Sequence, residues 1–148
     1  MDDGLFWEVR ALVYDLFGKT ARPPSADEIA RLINLDGSVV EELFAELHHR
    51  HTLFLDSETH TIRMAWPFSG IPTRFLVHAK GLTYWANCAW DSLGIPAALH
   101  TDAEIEAVDA WSKEPIHLVI RSGQPIHAGE RIHFLTPFTR WYDDLVFT

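Results

Sequence analysis

Sulfur, positive charge and long apolar runs are the scarce ingredients of this sequence. One cysteine, Cys88, stands among 148 residues. No disulfide can form within the chain, a usage that fits a reducing compartment. Lys and Arg number 12 against 21 Asp and Glu, for a formal net charge of −9. An acidic chain repels phosphate backbones, and no Lys/Arg cluster offsets this, so nucleic acid is not an expected partner. No apolar run approaches the length of a membrane span. The start, Met1-Asp2-Asp3-Gly4, is acidic and lacks the basic and apolar regions of a secretion signal, so the expected location is the cytoplasm. There is no Gly-rich phosphate loop, and Ser69 and Ser92 show no His/Asp partners of the kind a serine hydrolase needs. Internal repeats and low-complexity tracts are missing as well.

What is present is material for a core. Hydrophobic residues make up 47% and charged residues 22%, proportions of a globular rather than a disordered chain. Six Trp and nine Phe supply large side chains for a core or an apolar pocket.

The pattern divides at a Pro/Gly-rich stretch, Trp66-Pro67-Phe68-Ser69-Gly70-Ile71-Pro72, which sets expected domains at 1–66 and 67–148. In the first, Leu5, Val9, Leu12, Val13 and Leu16 recur at helical spacing, with Gly18 as a stop. Ser25-Ala26-Asp27-Glu28 has the form of a capping box and opens a second helix with Ile29, Leu32 and Ile33 inward. Leu35-Asp36-Gly37-Ser38 makes a turn. A third helix over about Val39 to Arg50 has Val40, Leu43, Phe44 and Leu47 as its stripe. Two β-like runs follow, Thr52 to Leu55 and Thr61 to Ala65, joined through Asp56-Ser57-Glu58. Three helices and a hairpin give a winged helix-turn-helix layout. Outward Glu41, Glu42 and Glu46 on the third helix make it a poor DNA reader.

In the second part, Arg74 to His78 alternates as a strand. Leu82 to Leu93 reads as a buried helix, apolar on nearly all sides and ended by Gly94 and Pro96. Three β-like runs are expected over Glu104 to Ala110, His117 to Arg121 and Arg131 to Leu135, separated by turns at Ser122-Gly123 and Ala128-Gly129. The tail from Trp141 is acidic, then apolar. The expected fold is α+β: a winged-helix-like three-helix domain, then a small mixed or antiparallel sheet domain with a buried helix carrying Cys88.

The chemistry concentrates in Tyr84-Trp85-Ala86-Asn87-Cys88-Ala89-Trp90-Asp91-Ser92-Leu93-Gly94-Ile95-Pro96. Cys88 and Asp91 are three apart, which on a helix places both on one face. A thiolate is a strong nucleophile and a ligand for soft metals. A neighbouring carboxylic acid can deliver a proton, and burial among Tyr84, Trp85 and Trp90 raises its pKa. The same spacing also describes a small core cysteine and an aspartate satisfying donors near a helix end. His48-His49-x-His51, with His60 nearby, reads as a solvated helix end, since neighbouring His side chains diverge and no Cys or carboxylate completes a ligand set. His117, His127 and His133 fall in β-like runs.

The string Tyr-x-x-x-Cys-Ala-x-Asp-x-Leu-x-x-Pro around Cys88 resembles the first-cysteine region of the organomercurial (alkylmercury) lyases. Pro72-Thr73-Arg74 and Glu114-Pro115-Ile116 match that family in style, as does the three-helix piece, which in those lyases is winged-helix-like without reading DNA. The resemblance implies a carbon–mercury lyase acting by protonolysis. Cys88 would bind mercury and join the attack, Asp91 would protonate the leaving carbon, and Tyr84, Trp85 and Trp90 would wall the substrate pocket. It implies no organic cofactor: mercury arrives as part of the small-molecule substrate. The family's pattern has a second cysteine late in the chain, and the tail Asp143-Asp144-Leu145-Val146-Phe147-Thr148 resembles the lead-in to it without the cysteine itself. Either the protein continues beyond Thr148, leaving the expected 67–148 domain incomplete at its C-terminus, or it is a short homologue that borrows a thiol; the expected partners are a low-molecular-weight thiol or a mercuric reductase. Two other readings remain: a lyase-fold protein turned to a metal-free substrate through Asp91, and a winged-helix regulator sensing a thiophilic metal or small ligand through Cys88.

Overall fold

A computed structural model describes residues 3–126 and 129–145. The chain starts with three helices, α1 (Asp3–Thr20), α2 (Ala26–Ile33) and α3 (Gly37–His49). Phe6, Val9, Val13 and Phe17 are the buried residues of α1; of the stripe expected from periodicity, Val9 and Val13 are buried, while Leu5, Leu12 and Leu16 are only partly so. The helix continues through Gly18 rather than stopping there. An added methyl at Gly18 would lie 3.1 Å from Leu99 Cδ2, so this glycine serves close packing instead of termination. The capping box of α2 forms as expected: the Ser25 hydroxyl accepts from the Glu28 amide, and the Glu28 carboxylate accepts from the Ser25 amide. Asp36 caps α3 in a related way, accepting from Ser38.

Eight short strands follow or interleave: β1 (Phe54–Leu55), β2 (Ile62–Ala65), β3 (Phe68–Ser69), β4 (Phe75–Ala79), β5 (Leu82–Ala86), β6 (Ala103–Val108), β7 (Pro115–Arg121) and β8 (Gln124–Ile126). They form one sheet in the order β1-β2-β3-β5-β4-β6-β7-β8. Every pairing among the described residues is antiparallel, which resolves the expected mixed-or-antiparallel sheet. The sheet passes directly through the Pro/Gly stretch, because β3 pairs with β2 on one side and with β5 on the other. Helix α4 (Ala89–Leu99) packs against β4, β5 and β6, and a short 3-10 helix spans Phe138–Asp143.

Three expectations need correction here. Leu82 to Leu93 is not one helix but a strand, a break and the start of a helix. Lys80 and Gly81 both adopt positive φ, 52° and 76°, and turn the chain so that Ala79 pairs with Leu82. That is the two-residue hairpin whose twist suits flanking strands. Thr83, Tyr84 and Trp85 then favour the strand. Second, α4 runs past Gly94 and Pro96 to Leu99, ending at a left-handed His100. Ile95 and Pro96 are buried, so packing offsets the missing proline hydrogen bond. Third, Arg131 to Leu135 is not a strand. The edge position beside β7 is taken by β8, which the Ser122–Gly123 turn, again with both φ positive, delivers in register.

One face of the sheet is apolar. Val77 pairs with both Tyr84 and Ile105, and Ala103 with Ile120; these five are buried together with Ala79 and Ala86. Ile95 of α4 and Phe17 of α1 belong to the same core. The opposite face carries ion pairs: His78 with Glu106, His117 with Glu104, and Arg121 with Asp102 and Glu104. No helix among the described residues is long and apolar enough to cross a membrane.

Candidate active site

The site lies where β5 hands over to α4. Cys88 is not on the helix but is its N-cap residue, with extended backbone at φ −147° and ψ −179°. Asp91 is the third residue of the first turn. The spacing of three that suggested one helical face is thus realised differently: an N-cap side chain reaches back over the residue three places on. The thiol and the carboxyl still meet, close enough for each to shift the other's proton affinity.

Asp91 is half-buried, and burial pushes its carboxyl up to about 6, while hydrogen bonds from Asn87 and Cys88 hold it back from rising further. The helix N-terminus favours a negative charge here, so desolvation has overcome a favourable dipole. Burial also pushes the Cys88 thiol above its ordinary value; the Asp91 charge adds to this, and the amides of Asp91 and Trp90 act against it. No side-chain hydrogen bond from Cys88 caps the helix. Near neutrality the pair therefore holds one shared proton, mainly as thiol and carboxylate.

Asn87 completes the arrangement. Its Nδ2 lies 3.1 Å from Asp91 Oδ2, 3.1 Å from Phe68 O and 3.3 Å from Pro67 O, so its two hydrogens are shared among three acceptors. The Trp66–Pro67 peptide is cis. A side chain at Gly94 would come within 3.0 Å of Pro67 Cβ, so α4 lies close against this segment. Tyr14 of α1 is also near enough for the Asp91 charge to raise its hydroxyl pKa, although burial is the larger cause. Its hydroxyl donates to Thr52 O at 3.3 Å, and the Arg10 guanidinium lies over its ring at 4.6 Å.

The three aromatic residues expected as pocket walls go to different places. Tyr84 is fully buried on the core face, with its hydroxyl donating to Gly18 O at 2.6 Å. Trp85, next along the strand, points to the opposite face and is half-buried, because successive strand residues alternate. Trp90 is 59% exposed rather than buried, and its ring faces Phe134 at 6.5 Å. Phe134 in turn contacts Trp141, which contacts Phe138. The segment after β8 thus lays an aromatic cluster beside Trp90, the residue before Asp91.

The described histidines that the sequence singled out make their contacts away from this site. His48 is not simply solvated: its Nδ1 accepts from the Leu55 amide and its ring meets Phe54 edge-on. His51 stacks on Tyr142. His133 is exposed outside any strand, and His127 lies outside the described residues. No group of three His, Cys, Asp or Glu suited to a metal ion occurs among the described residues. A cavity of about 410 Å3 on the charged sheet face is lined by His78, Asp102, Glu104 and Arg121 among others, and includes neither Cys88 nor Asp91.

Asn87 and Tyr14 escaped the sequence reading. Asn87 lies four residues before Asp91, a polar spacing that could have drawn attention had the stretch not been read as continuous helix. Tyr14 carries no sequence signal, since only the tertiary fold brings α1 to α4.

A family model described as alkylmercury lyase (MerB) matches residues 68–146. Among solved structures, the fold is similar to "Crystal structure of the mercury-bound form of MerB2", with a TM-score of 0.65 and 22% identity. That match covers 80% of this chain and 58% of the other, so the chain spans less than two thirds of that structure. No curated protein matches the chain.

Proposed function

The chain belongs to the alkylmercury lyase family, and from that premise we propose that it cleaves carbon–mercury bonds by protonolysis, with Cys88 and Asp91 as the reacting groups. The observation that carries this reading is the meeting of the only thiol in the chain with a carboxyl whose pKa burial holds near 6.

The proton count supports the assignment. The Cys88 thiol attacks an organomercurial R–Hg–X. The sulfur–mercury bond forms, X leaves as its anion, and the thiol proton passes to the Asp91 carboxylate. The mercury–carbon bond then breaks with its electron pair going to carbon, which takes that proton from Asp91. A hydrocarbon R–H leaves, Asp91 is a carboxylate again, and Hg(II) remains on sulfur. A carboxyl near pH 6 suits both halves, being basic enough to accept the proton and acidic enough to return it. No organic cofactor enters this scheme. With one thiol in the sequence, a small thiol supplies the second soft ligand that draws mercury off, and a mercuric reductase is a fitting acceptor of the product. A cytoplasmic setting with abundant reduced thiols suits this chemistry.

The test is release of benzene from phenylmercury with excess small thiol. Wild type is expected to turn over. Cys88→Ser should lose both mercury binding and turnover. Asp91→Asn should keep one mercury per chain while benzene release falls by roughly 10²-fold or more. Mercury binding that survives Cys88→Ser would sink the proposal.

The single thiol favours one second reading, a family member acting through Asp91 on a metal-free substrate. Ligand binding or activity that survives loss of Cys88 but not of Asp91 would select it.

A further inference from the structure

The three acceptors that converge on Asn87 Nδ2 determine how this side chain lies. Pro67 O and Phe68 O are backbone carbonyls that can only accept. The amide nitrogen must therefore face them, and the same nitrogen is 3.1 Å from Asp91 Oδ2. The reverse orientation would aim Asn87 Oδ1 at two carbonyls and a carboxyl, against three lone-pair-bearing groups. In the orientation observed, Oδ1 is buried without a hydrogen-bond partner. Burying an acceptor without a donor is unfavourable, so the contacts made by Nδ2 are held at the expense of that oxygen.

We propose that Asn87 is a positioning residue that selects which oxygen of Asp91 carries the transferable proton. An N–H donor on Oδ2 makes that oxygen the carbonyl oxygen of the acid form. The proton then resides on Oδ1, and the carboxyl plane is pinned by a side chain itself anchored to the Pro67–Phe68 segment. Asp91 accepts and returns the proton through one oxygen in one orientation, so the reaction pays no reorientation between the two steps. Asn87 acts through Asp91 and does not touch the reacting atoms. The inference rests on the lyase reading for its catalytic consequence, but the hydrogen bond itself can be read without turnover.

Two measurements on the full chain decide it. The first is the infrared C=O stretch of protonated Asp91 at mildly acidic pH, identified by subtracting the Asp91→Asn spectrum. Replacing Asn87 with Leu, close in volume, or with Ala should move this band to higher wavenumber, because the carbonyl oxygen loses its donor. The second is steady-state turnover of phenylmercury. kcat should fall on the order of 10²-fold with KM and one-to-one mercury binding unchanged, and Asn87→Gln should restore part of the loss. Retained mercury binding and cooperative melting show that the variants fold. A band that stays in place, or a rise in KM with kcat unchanged, overturns the proposal. Absence of benzene release by wild type would remove the lyase reading alone, and the infrared shift would still decide whether Asn87 holds Oδ2.

Discussion

Asp91 is held between opposing influences, and the balance has consequences for both stability and rate. Its carboxyl is raised from the usual value to about 6 in the folded chain. A group with a raised folded pKa binds its proton more tightly in the native state. The stability it contributes is full below the unfolded value near 4 and is lost as pH rises through about 6. Comparing wild type with Asp91→Asn by denaturant titration, wild type should lose on the order of 2 kcal/mol relative to the variant between mildly acidic pH and pH 8. Equal pH dependence in the two would mean that the carboxyl is not perturbed. For the proposed reaction, kcat/KM should rise with pH through about 6, as Asp91 becomes able to take the thiol proton. It should fall again only above the ordinary thiol range, where Cys88 ionises and the pair has no proton to give. A profile that falls through pH 6 would instead require Asp91 to enter the reaction already protonated.

The Cys88–Asp91 meeting depends on a boundary between elements rather than on a helix face. The Lys80–Gly81 turn sets β5 in register with β4, β5 ends at Ala86, and Asn87 and Cys88 follow in the break before α4. Gly81 has φ 76°, and nothing lies within 4 Å of an added methyl, so its requirement is conformational and not steric. Gly81→Val should destabilise the chain by roughly 1–2 kcal/mol, since a β-branched residue resists positive φ, as thermal or denaturant unfolding will show. Helical periodicity misled in this region because a short apolar strand followed closely by an apolar helix mimics one long buried helix. The capping box at Ser25 and the stripe of α3 were legible, because each rests on spacing within a few residues.

At the scale of the whole molecule, the helical and sheet segments share one core. Phe17 of α1 stacks on Phe68 of β3 at a centroid distance of 5.0 Å, and Phe68 in turn contacts Tyr84. The Tyr84 hydroxyl reaches back 66 residues to Gly18 O. Tyr84, expected at a pocket wall, instead ties α1 to the sheet that carries the site. Tyr84→Phe should lower stability by about 1–2 kcal/mol through loss of this buried bond, with mercury binding at Cys88 unchanged. A loss of mercury binding with unchanged stability would return Tyr84 to the pocket.

The sequence alone determined that this is an α+β chain with three leading helices, and where the capping box at Ser25 and the Thr52–Ala65 hairpin fall; these follow from local spacing and residue type. Only the tertiary structure decided that Cys88 is an N-cap, that Tyr84 and Trp85 point to opposite faces, that α4 outlasts Pro96, and that Asn87 joins Pro67 and Phe68 to Asp91. Strand pairing, burial and contacts between distant segments settle those points, and such interactions leave no period in the sequence to read.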